Sequence, residues 1–109
     1  MLKDQMKLVG KLSIAINNKV VQEIDNLVVT AGKNFVASRI KDATASAMSH
    51  MAIGTGSTSP AAGDTTLGTE TARVALTSTT VTNADVAYVS SFGAGTGTGA
   101  ITEAGLFNA

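Results

Sequence analysis

The stretch KLVGKLSIAINNKVVQEIDNLVV, residues 7–29, favours a β-hairpin. Apolar side chains stand at alternate positions in its first half, namely Leu8, Leu12, Ile14 and Ile16. This alternation is the period of a half-buried strand. A second apolar run, residues 20–29, follows the polar Asn-Asn-Lys segment. The chain is therefore predicted to begin with two antiparallel strands.

The length of the connection decides which side chains of this hairpin face each other. A two-residue turn at 17–18 would place Leu12 opposite Glu23, whereas a three-residue loop at 17–19 places Leu12 opposite Ile24. A slip of one residue moves a whole set of side chains to the other face of the hairpin. Apolar matching therefore favours the three-residue loop.

Residues 30–42, TAGKNFVASRIKD, change to a helical period, because Val36 and Ile40 stand four positions apart. Thr30 is predicted to be the N-cap, since threonine accepts a hydrogen bond from the first free N–H groups of a helix. Two basic residues near the end of the segment suit the negative end of the helix dipole. The segment is predicted to form one short helix.

The remaining sequence predicts strands separated by glycine-rich loops. A short strand at 49–54 precedes a loop at 55–66, and a strand at 100–107 follows a second loop at 93–99. Long glycine loops in a small domain are more often functional than idle, so a contact role is favoured for both.

A second hairpin is predicted between these loops. Its strands are residues 71–82 and 86–92, and a three-residue loop at 83–85 places Thr80 opposite Tyr88. Such β-branched and aromatic pairs suit a pleated surface.

The total of about six strands and one short helix predicts a mainly β fold, either a small β-sandwich or an open barrel. A length of 109 residues gives room for one domain, so residues 1–109 are predicted to form a single β-rich domain. The last strand has nothing after it to close the sheet. We expect this edge either to pair with another subunit or to lack C-terminal closing strands.

The charge of the chain is low and balanced. Only 15% of the residues are charged, with eight basic and eight acidic side chains. Such a surface is easier to explain inside an assembly than on a free monomer, although a secreted domain with a hydroxyl-rich surface is an alternative. Residues 1–42 carry seven basic and four acidic side chains, a balance of +3, and residues 43–109 carry one and four, a balance of −3. This asymmetry favours head-to-tail packing of identical subunits.

Several partners are not expected. The basic excess is too small to indicate nucleic acid or an anionic membrane surface. No stretch reaches the ~20 apolar residues of a membrane-spanning helix, and the start of the sequence lacks the apolar segment of a signal peptide. The absence of cysteine excludes a disulfide framework and thiolate chemistry.

MAIGTGSTSPAAGDTTLG, residues 51–68, has the glycine density of a phosphate-binding loop. It lacks the lysine that the G-x-x-x-x-G-K-[ST] pattern places on the phosphates, and no strong helix follows it. In the second loop the G-x-G-x-x-G pattern fails, because Thr98 stands at the third glycine position. Neither loop is predicted to bind a nucleotide. Their glycines are predicted to supply positive φ angles.

No catalytic, cofactor-binding or metal-binding residue and no small-molecule substrate are predicted. His50 is the only histidine and is interpreted as a polar residue at a strand edge. Four acidic residues fall in separate segments without calcium-loop spacing, namely Asp64, Glu70, Asp85 and Glu103. Four aromatic residues are predicted to pack in the core, namely Phe35, Tyr88, Phe92 and Phe107.

The order of four motifs resembles small structural proteins of tailed bacteriophages and the N-terminal part of phage tail-collar fibre proteins. The motifs are NLVVTAGKNFVASRI, SHMAIGTG, L-G-T-E followed by A-R-V-A-L, and ITEAGLFNA, and the resemblance spans about residues 27–109. The matching residues lie at the helix start, the strand end, the returning segment and the closing motif: Thr30, Ala31 and Gly32; His50, Ala52, Gly54 and Gly56; Leu67, Glu70 and Arg73; Glu103, Gly105, Leu106 and Phe107. The family continues after the closing motif, whereas this sequence stops at Asn108–Ala109.

The resemblance implies a non-enzymatic component of the virion, assembled in the host cytoplasm together with other virion proteins. It further implies docking to the tail, baseplate or fibre and self-association, for which a trimer is favoured. The matching residues are implied to be architectural, with Glu103 as a buried ion-pair partner of Arg73.

Two other functions stay open at this point. A capsid decoration (cement) protein that clamps neighbouring capsomers is one of them. A carbohydrate-binding module is the other, although an aromatic content of 4% is low for sugar stacking. An enzyme is not expected, because no set of acid, base and nucleophile can be assembled from the sequence.

Overall fold

A computed structural model describes residues 8–109, which form seven strands and one helix. In chain order they are β1 (Gly10–Ile16), β2 (Lys19–Asn26), α1 (Thr30–Lys41), β3 (His50–Gly54), β4 (Glu70–Ala75), β5 (Ser78–Thr82), β6 (Asp85–Val89) and β7 (Glu103–Phe107). The strands form three small sheets, with the orders β1–β2, β4–β3–β7 and β5–β6. The predicted mainly β fold with one short helix is confirmed. Lys7, with which the predicted first strand began, lies outside the described residues.

The described residues divide into two compact units. The first comprises residues 8–42 and 60–65, and the second comprises residues 43–59 and 66–109. The first unit contains the β1–β2 hairpin and α1, and the second contains the other two sheets. A single domain over residues 1–109 stays a prediction.

The β1–β2 hairpin combines a tight two-residue turn with the predicted pairing of apolar residues across its strands. Residues 17–18 form a two-residue turn in which both asparagines have positive φ, +53° and +65°, as hairpin turns of this length prefer. The predicted three-residue loop is therefore wrong. Leu12 nevertheless lies opposite Ile24, as predicted, because a β-bulge leaves Val21 without a cross-strand partner and restores the apolar register.

The start of α1 differs by one residue from the prediction. Val29, in an extended conformation, is the N-cap and makes no side-chain capping hydrogen bond. Thr30 is the first helical residue instead of the N-cap, and its N–H donates to the carbonyl oxygen of Ala62 at 2.7 Å. A loop carbonyl thus accepts a hydrogen bond from a free N–H group at the start of the helix, where a capping side chain is often the acceptor.

The second predicted hairpin is divided between two sheets. The predicted strand 71–82 is interrupted between β4 and β5, where the N–H of Leu76 donates to Ser49 and that of Thr77 donates to Val89. Leu76 thus bonds to the residue next to β3 of the three-stranded sheet, whereas Thr77 bonds to β6 of the β5–β6 sheet. The chain therefore passes from one sheet to the other between these two residues.

The turn of the β5–β6 hairpin is also shorter than predicted. It contains two residues, 83–84, and Asn83 has a φ of +54°. Thr79, and not Thr80, therefore lies opposite Tyr88. Asparagine tolerates this left-handed conformation, which permits the tight turn; the predicted register is wrong by one residue.

The three-stranded sheet is built around β3, which pairs antiparallel with β4 on one side and β7 on the other. Ala52 at its centre lies opposite Arg73 of β4 and Gly105 of β7. At its end, Gly54 lies opposite Glu103. This register brings the start of β7 next to the loop that leaves β3.

Few side chains are fully buried. Ala52 is the only hydrophobic residue in this class among residues 8–109, and the four aromatic residues predicted for the core are half-buried. All eight residues of β2 are exposed, and no residue of α1 is buried. The large apolar side chains that remain exposed are Val9, Ile16, Val20, Val21, Ile24, Leu27, Ile40, Val81, Val86, Val89 and Ile101. Seven of these eleven side chains belong to the first unit.

Candidate functional site

The Glu103 carboxylate is bound by three backbone N–H groups. Gly56 and Thr69 donate to its Oε2 atom and Gly68 donates to Oε1, each at 2.7 Å. Hydrogen bonds to an ionised carboxylate are about twice as strong as those between neutral groups. We call the N–H groups of Gly56, Gly68 and Thr69 the amide cradle.

The sheet register explains why these groups converge. Gly56 lies two residues after the end of β3, and residues 68–69 lie directly before the start of β4. Glu103 is the first residue of β7. Because β3 lies between β4 and β7, these three strand ends meet at one edge of the sheet. The carboxylate therefore joins two loops and a strand.

The glycines of the first loop allow the carboxylate to approach the backbone. A Cβ atom at Gly54 or at Gly56 would lie 2.5 Å from Oε2 of Glu103. No glycine of residues 51–68 has a positive φ, whereas Gly95, Gly97 and Gly99 all do. The prediction of positive φ angles is thus confirmed for three of the four glycines of the second loop. It is wrong for the first loop, where Gly54 and Gly56 instead leave space for the Glu103 side chain.

The amide cradle also changes the acidity of Glu103. The hydrogen bond from the N–H of Thr69 lowers the pKa of this half-buried carboxyl group, and those from Gly68 and Gly56 act in the same direction. Partial desolvation acts against them but does not reverse the shift. Glu103 is therefore ionised at neutral pH. With both oxygens engaged and a lowered pKa, it is better suited to holding structure than to accepting a proton.

Arg73 forms a separate group of contacts on the same sheet. Its Nη2 and Nε atoms donate to the two carboxylate oxygens of Glu70, at 2.7 and 3.1 Å. Its Nη1 atom donates to the backbone oxygen of Ala109 at 2.7 Å, and its guanidinium carbon lies 3.9 Å from the ring centroid of Phe107. The expected Arg73–Glu103 ion pair is therefore wrong, because each side chain is engaged by other groups.

A double-mutant cycle tests this correction. We expect Arg73→Ala and Glu70→Ala to be coupled by about 0.5–1 kcal/mol in the free energy of unfolding, as is usual for a partly exposed ion pair. Arg73→Ala and Glu103→Ala are expected to be additive, because no hydrogen bond or ion pair joins these two side chains. Urea unfolding of the single and double variants measures both couplings. Coupling between Arg73 and Glu103 but not between Arg73 and Glu70 would restore the original pairing.

The other predicted residues are divided between different places. Gly54, Gly56 and Glu103 come together at the amide cradle, and Gly105 lies two residues further along β7, beside the ring of Phe107. His50 is the first residue of the central strand, instead of an edge residue, and its Nδ1 atom lies 2.7 Å from the Ser49 hydroxyl. Thr30 and Gly32 belong to α1 in the first unit.

Two members of the site, Gly68 and Thr69, were not selected by sequence reasoning. Both act through their backbone N–H groups, which every residue except proline possesses. Their side-chain types therefore carry no signal of this role. Sequence reasoning selected Gly54, Gly56 and Glu103 one by one, but nothing in the sequence placed them next to residues 68–69.

The chain matches no family model, no curated protein and no solved structure. Within residues 8–109, no helix is both long and apolar enough to cross a membrane. The same residues contain no group of three or more histidine, aspartate or glutamate side chains that could hold a metal ion.

Proposed function

We propose that the chain is a non-enzymatic structural component of a tailed-phage virion, which self-associates and docks to the tail, baseplate or fibre. The phage context is supported by the order of the four motifs within residues 27–109. Self-association is supported by an independent observation, the exposed apolar surface of the β1–β2 hairpin.

The composition of this hairpin surface is the observation that carries the proposal. Ile16 and Ile24 lie on the face that carries Leu12, and they are 60% and 42% exposed. Burying an aliphatic side chain of this size completely contributes about 1.5–3 kcal/mol. Contiguous apolar patches on small soluble proteins usually mark interaction sites. Contact with another protein surface would remove these side chains from water.

The charge of the chain supports contact between identical copies. The formal net charge is zero, so copies do not repel one another through their overall charge near neutral pH. The balances of +3 for residues 1–42 and −3 for residues 43–109 favour an arrangement in which unlike segments of two copies meet. The same surface also suits a decoration protein held between capsomers, which differs in its location on the particle.

Light scattering across a concentration range tests self-association. We expect a stable particle of about three times the 11.0 kDa chain mass, or larger. Ile24→Lys, on the face that also carries Leu12, is expected to reduce this mass to that of a monomer, because it places a charge in the apolar surface.

Ser13→Lys is the matched control, because Ser13 lies opposite Glu23 on the other face of the same hairpin. It is expected to leave the mass unchanged. A wild-type monomer at every concentration contradicts self-association. If an oligomer forms, imaging of phage virions that contain labelled copies of the chain distinguishes a tail location from a capsid location.

A further inference from the structure

We infer that the amide cradle is a carboxylate-binding site in its own right, which holds Glu103 as an intramolecular ligand and accepts a free monocarboxylate when that side chain is removed. The inference goes beyond the proposed virion role and does not depend on it. It rests on the shape of the donor set, on how the loops are held and on the size of the space that Glu103 fills.

The donor set matches the two oxygens of a carboxylate. Oε2 receives hydrogen bonds from Gly56 and Thr69, and Oε1 receives one from Gly68. Backbone N–H groups that converge on one point form an anion-binding site, as they do in phosphate-binding loops. Here the donors are divided between two acceptor atoms, which a planar carboxylate provides and a halide ion does not.

The loops that carry these donors are also held by bonds that do not involve the carboxylate. The N–H of Thr55 donates to the carbonyl oxygen of Thr69 at 3.0 Å. Thr102 donates from its hydroxyl to Gly56 at 2.6 Å and from its N–H to Gly54 at 2.9 Å. These bonds keep the donors near their positions when the ligand is absent, and such preorganisation lowers the cost of binding.

The space left by truncation fits a small acid. Glu103→Ala removes one methylene and the carboxylate, which together have the same heavy atoms as acetate. The absence of side chains at Gly54 and Gly56 keeps this space open, since a Cβ atom at either position would lie 2.5 Å from Oε2. Acetate therefore replaces the lost group without a change in the surrounding backbone.

The inference also explains three of the four glycines in residues 51–68, namely Gly54, Gly56 and Gly68. This loop was predicted not to hold a nucleotide, because it lacks the phosphate-binding lysine. Two glycines of this segment, Gly56 and Gly68, nevertheless direct their N–H groups at an anion, and that anion is a singly charged side chain of the same chain. The loop shares the donor chemistry of a phosphate-binding loop but is suited to a smaller ligand.

Chemical rescue of the Glu103→Ala variant of the 109-residue chain tests the inference. We expect sodium acetate, compared with sodium chloride at equal ionic strength and about pH 7, to raise its Tm saturably in the millimolar range. Acetate is also expected to shift the amide proton resonances of Gly56, Gly68 and Thr69 towards their wild-type positions. Wild-type protein is expected to show neither effect, because Glu103 already occupies the cradle.

Glu70→Ala is the matched control, since it removes a carboxylate from the same sheet but outside the cradle. Its Tm is expected to respond equally to acetate and chloride. If acetate and chloride change the Tm of Glu103→Ala equally, the inference is overturned. If phosphate raises the Tm of this variant by as much as acetate does, the assignment of the site to carboxylates is overturned.

If Glu103→Ala is unfolded in chloride, its refolding yield on dilution from urea is measured in each salt. A higher yield in acetate than in chloride supports the site, and equal yields overturn it.

Discussion

Replacing Glu103 by glutamine is expected to destabilise the protein at about pH 7 more than removal of any other acidic side chain in residues 43–109. The amide cradle offers three N–H donors to two carboxylate oxygens. Glutamine has one oxygen acceptor and an NH₂ group, so at least one cradle donor meets another donor and is left unsatisfied. The variant also loses the negative charge that strengthens the remaining bonds.

The effect is expected to depend on pH in a defined direction. The hydrogen bond from Thr69, with those from Gly68 and Gly56, holds the pKa of Glu103 in the folded protein below the ordinary glutamate value of 4.5. The unfolded chain therefore takes up a proton at higher pH than the folded chain does. The contribution of Glu103 is fully present above the ordinary pKa and is lost as the pH falls through the lowered pKa.

Urea unfolding of wild-type protein and Glu103→Gln from about pH 7 down to about pH 3 measures this difference. The gap in the free energy of unfolding is expected to be constant near neutral pH and to narrow in acid. Glu70→Gln is the control, because its carboxylate binds Arg73 and not the amide cradle. A gap between wild type and Glu103→Gln that stays constant down to the lowest pH would show that the cradle does not stabilise the ionised form.

A graded series of alanine substitutions at glycines is expected to have its largest effect at Gly54. This residue is buried, and the new Cβ atom would meet both the backbone carbonyl of Thr69 and the Glu103 carboxylate. The carbonyl cannot move without disturbing its hydrogen bond from Thr55. Overpacking of this kind costs about 1–3 kcal/mol, and we expect Gly54→Ala to lie at the upper end of that range.

Alanine substitutions at two further glycines provide comparisons for Gly54→Ala. At Gly56 the three atoms nearest to a Cβ atom all belong to the carboxylate at the end of the flexible Glu103 side chain, so Gly56→Ala is expected to be milder than Gly54→Ala. At Gly63 nothing lies within 4 Å, and Gly63→Ala is expected to change stability by less than about 0.5 kcal/mol. Urea unfolding gives all three values. Equal stability of the Gly54 and Gly63 variants would contradict the close approach of the backbone and Glu103.

Local sequence pattern predicted the elements of this protein well, because it reports directly on which face of an element is apolar. The alternation predicted over residues 7–16 indicated β1, and the change to a helical period after Val29 indicated α1. The pairing of Leu12 with Ile24 also followed from matching apolar positions. These features depend on residues that are neighbours in sequence or belong to one hairpin.

The sequence pattern was less informative in the hairpin, where the preference for a tight turn and the matching of apolar residues favour different loop lengths. The Asn17–Asn18 pair favours a two-residue turn, and apolar matching requires one more residue. Reasoning from the sequence treated these as alternatives, whereas the bulge at Val21 satisfies both. In the second hairpin, no pattern within residues 71–82 marked the point at which the strand changes sheets.

The sequence by itself determined a mainly β chain with one helix, a low charge and no cysteine. Only the tertiary structure decided what Glu103 binds. Its three donors lie 34, 35 and 47 positions away and belong to the backbone, so no side-chain pattern identifies them. They converge because β3 lies between β4 and β7, which brings three strand ends to one edge. Arg73, the basic residue that charge alone would select, is instead held by Glu70 three positions away.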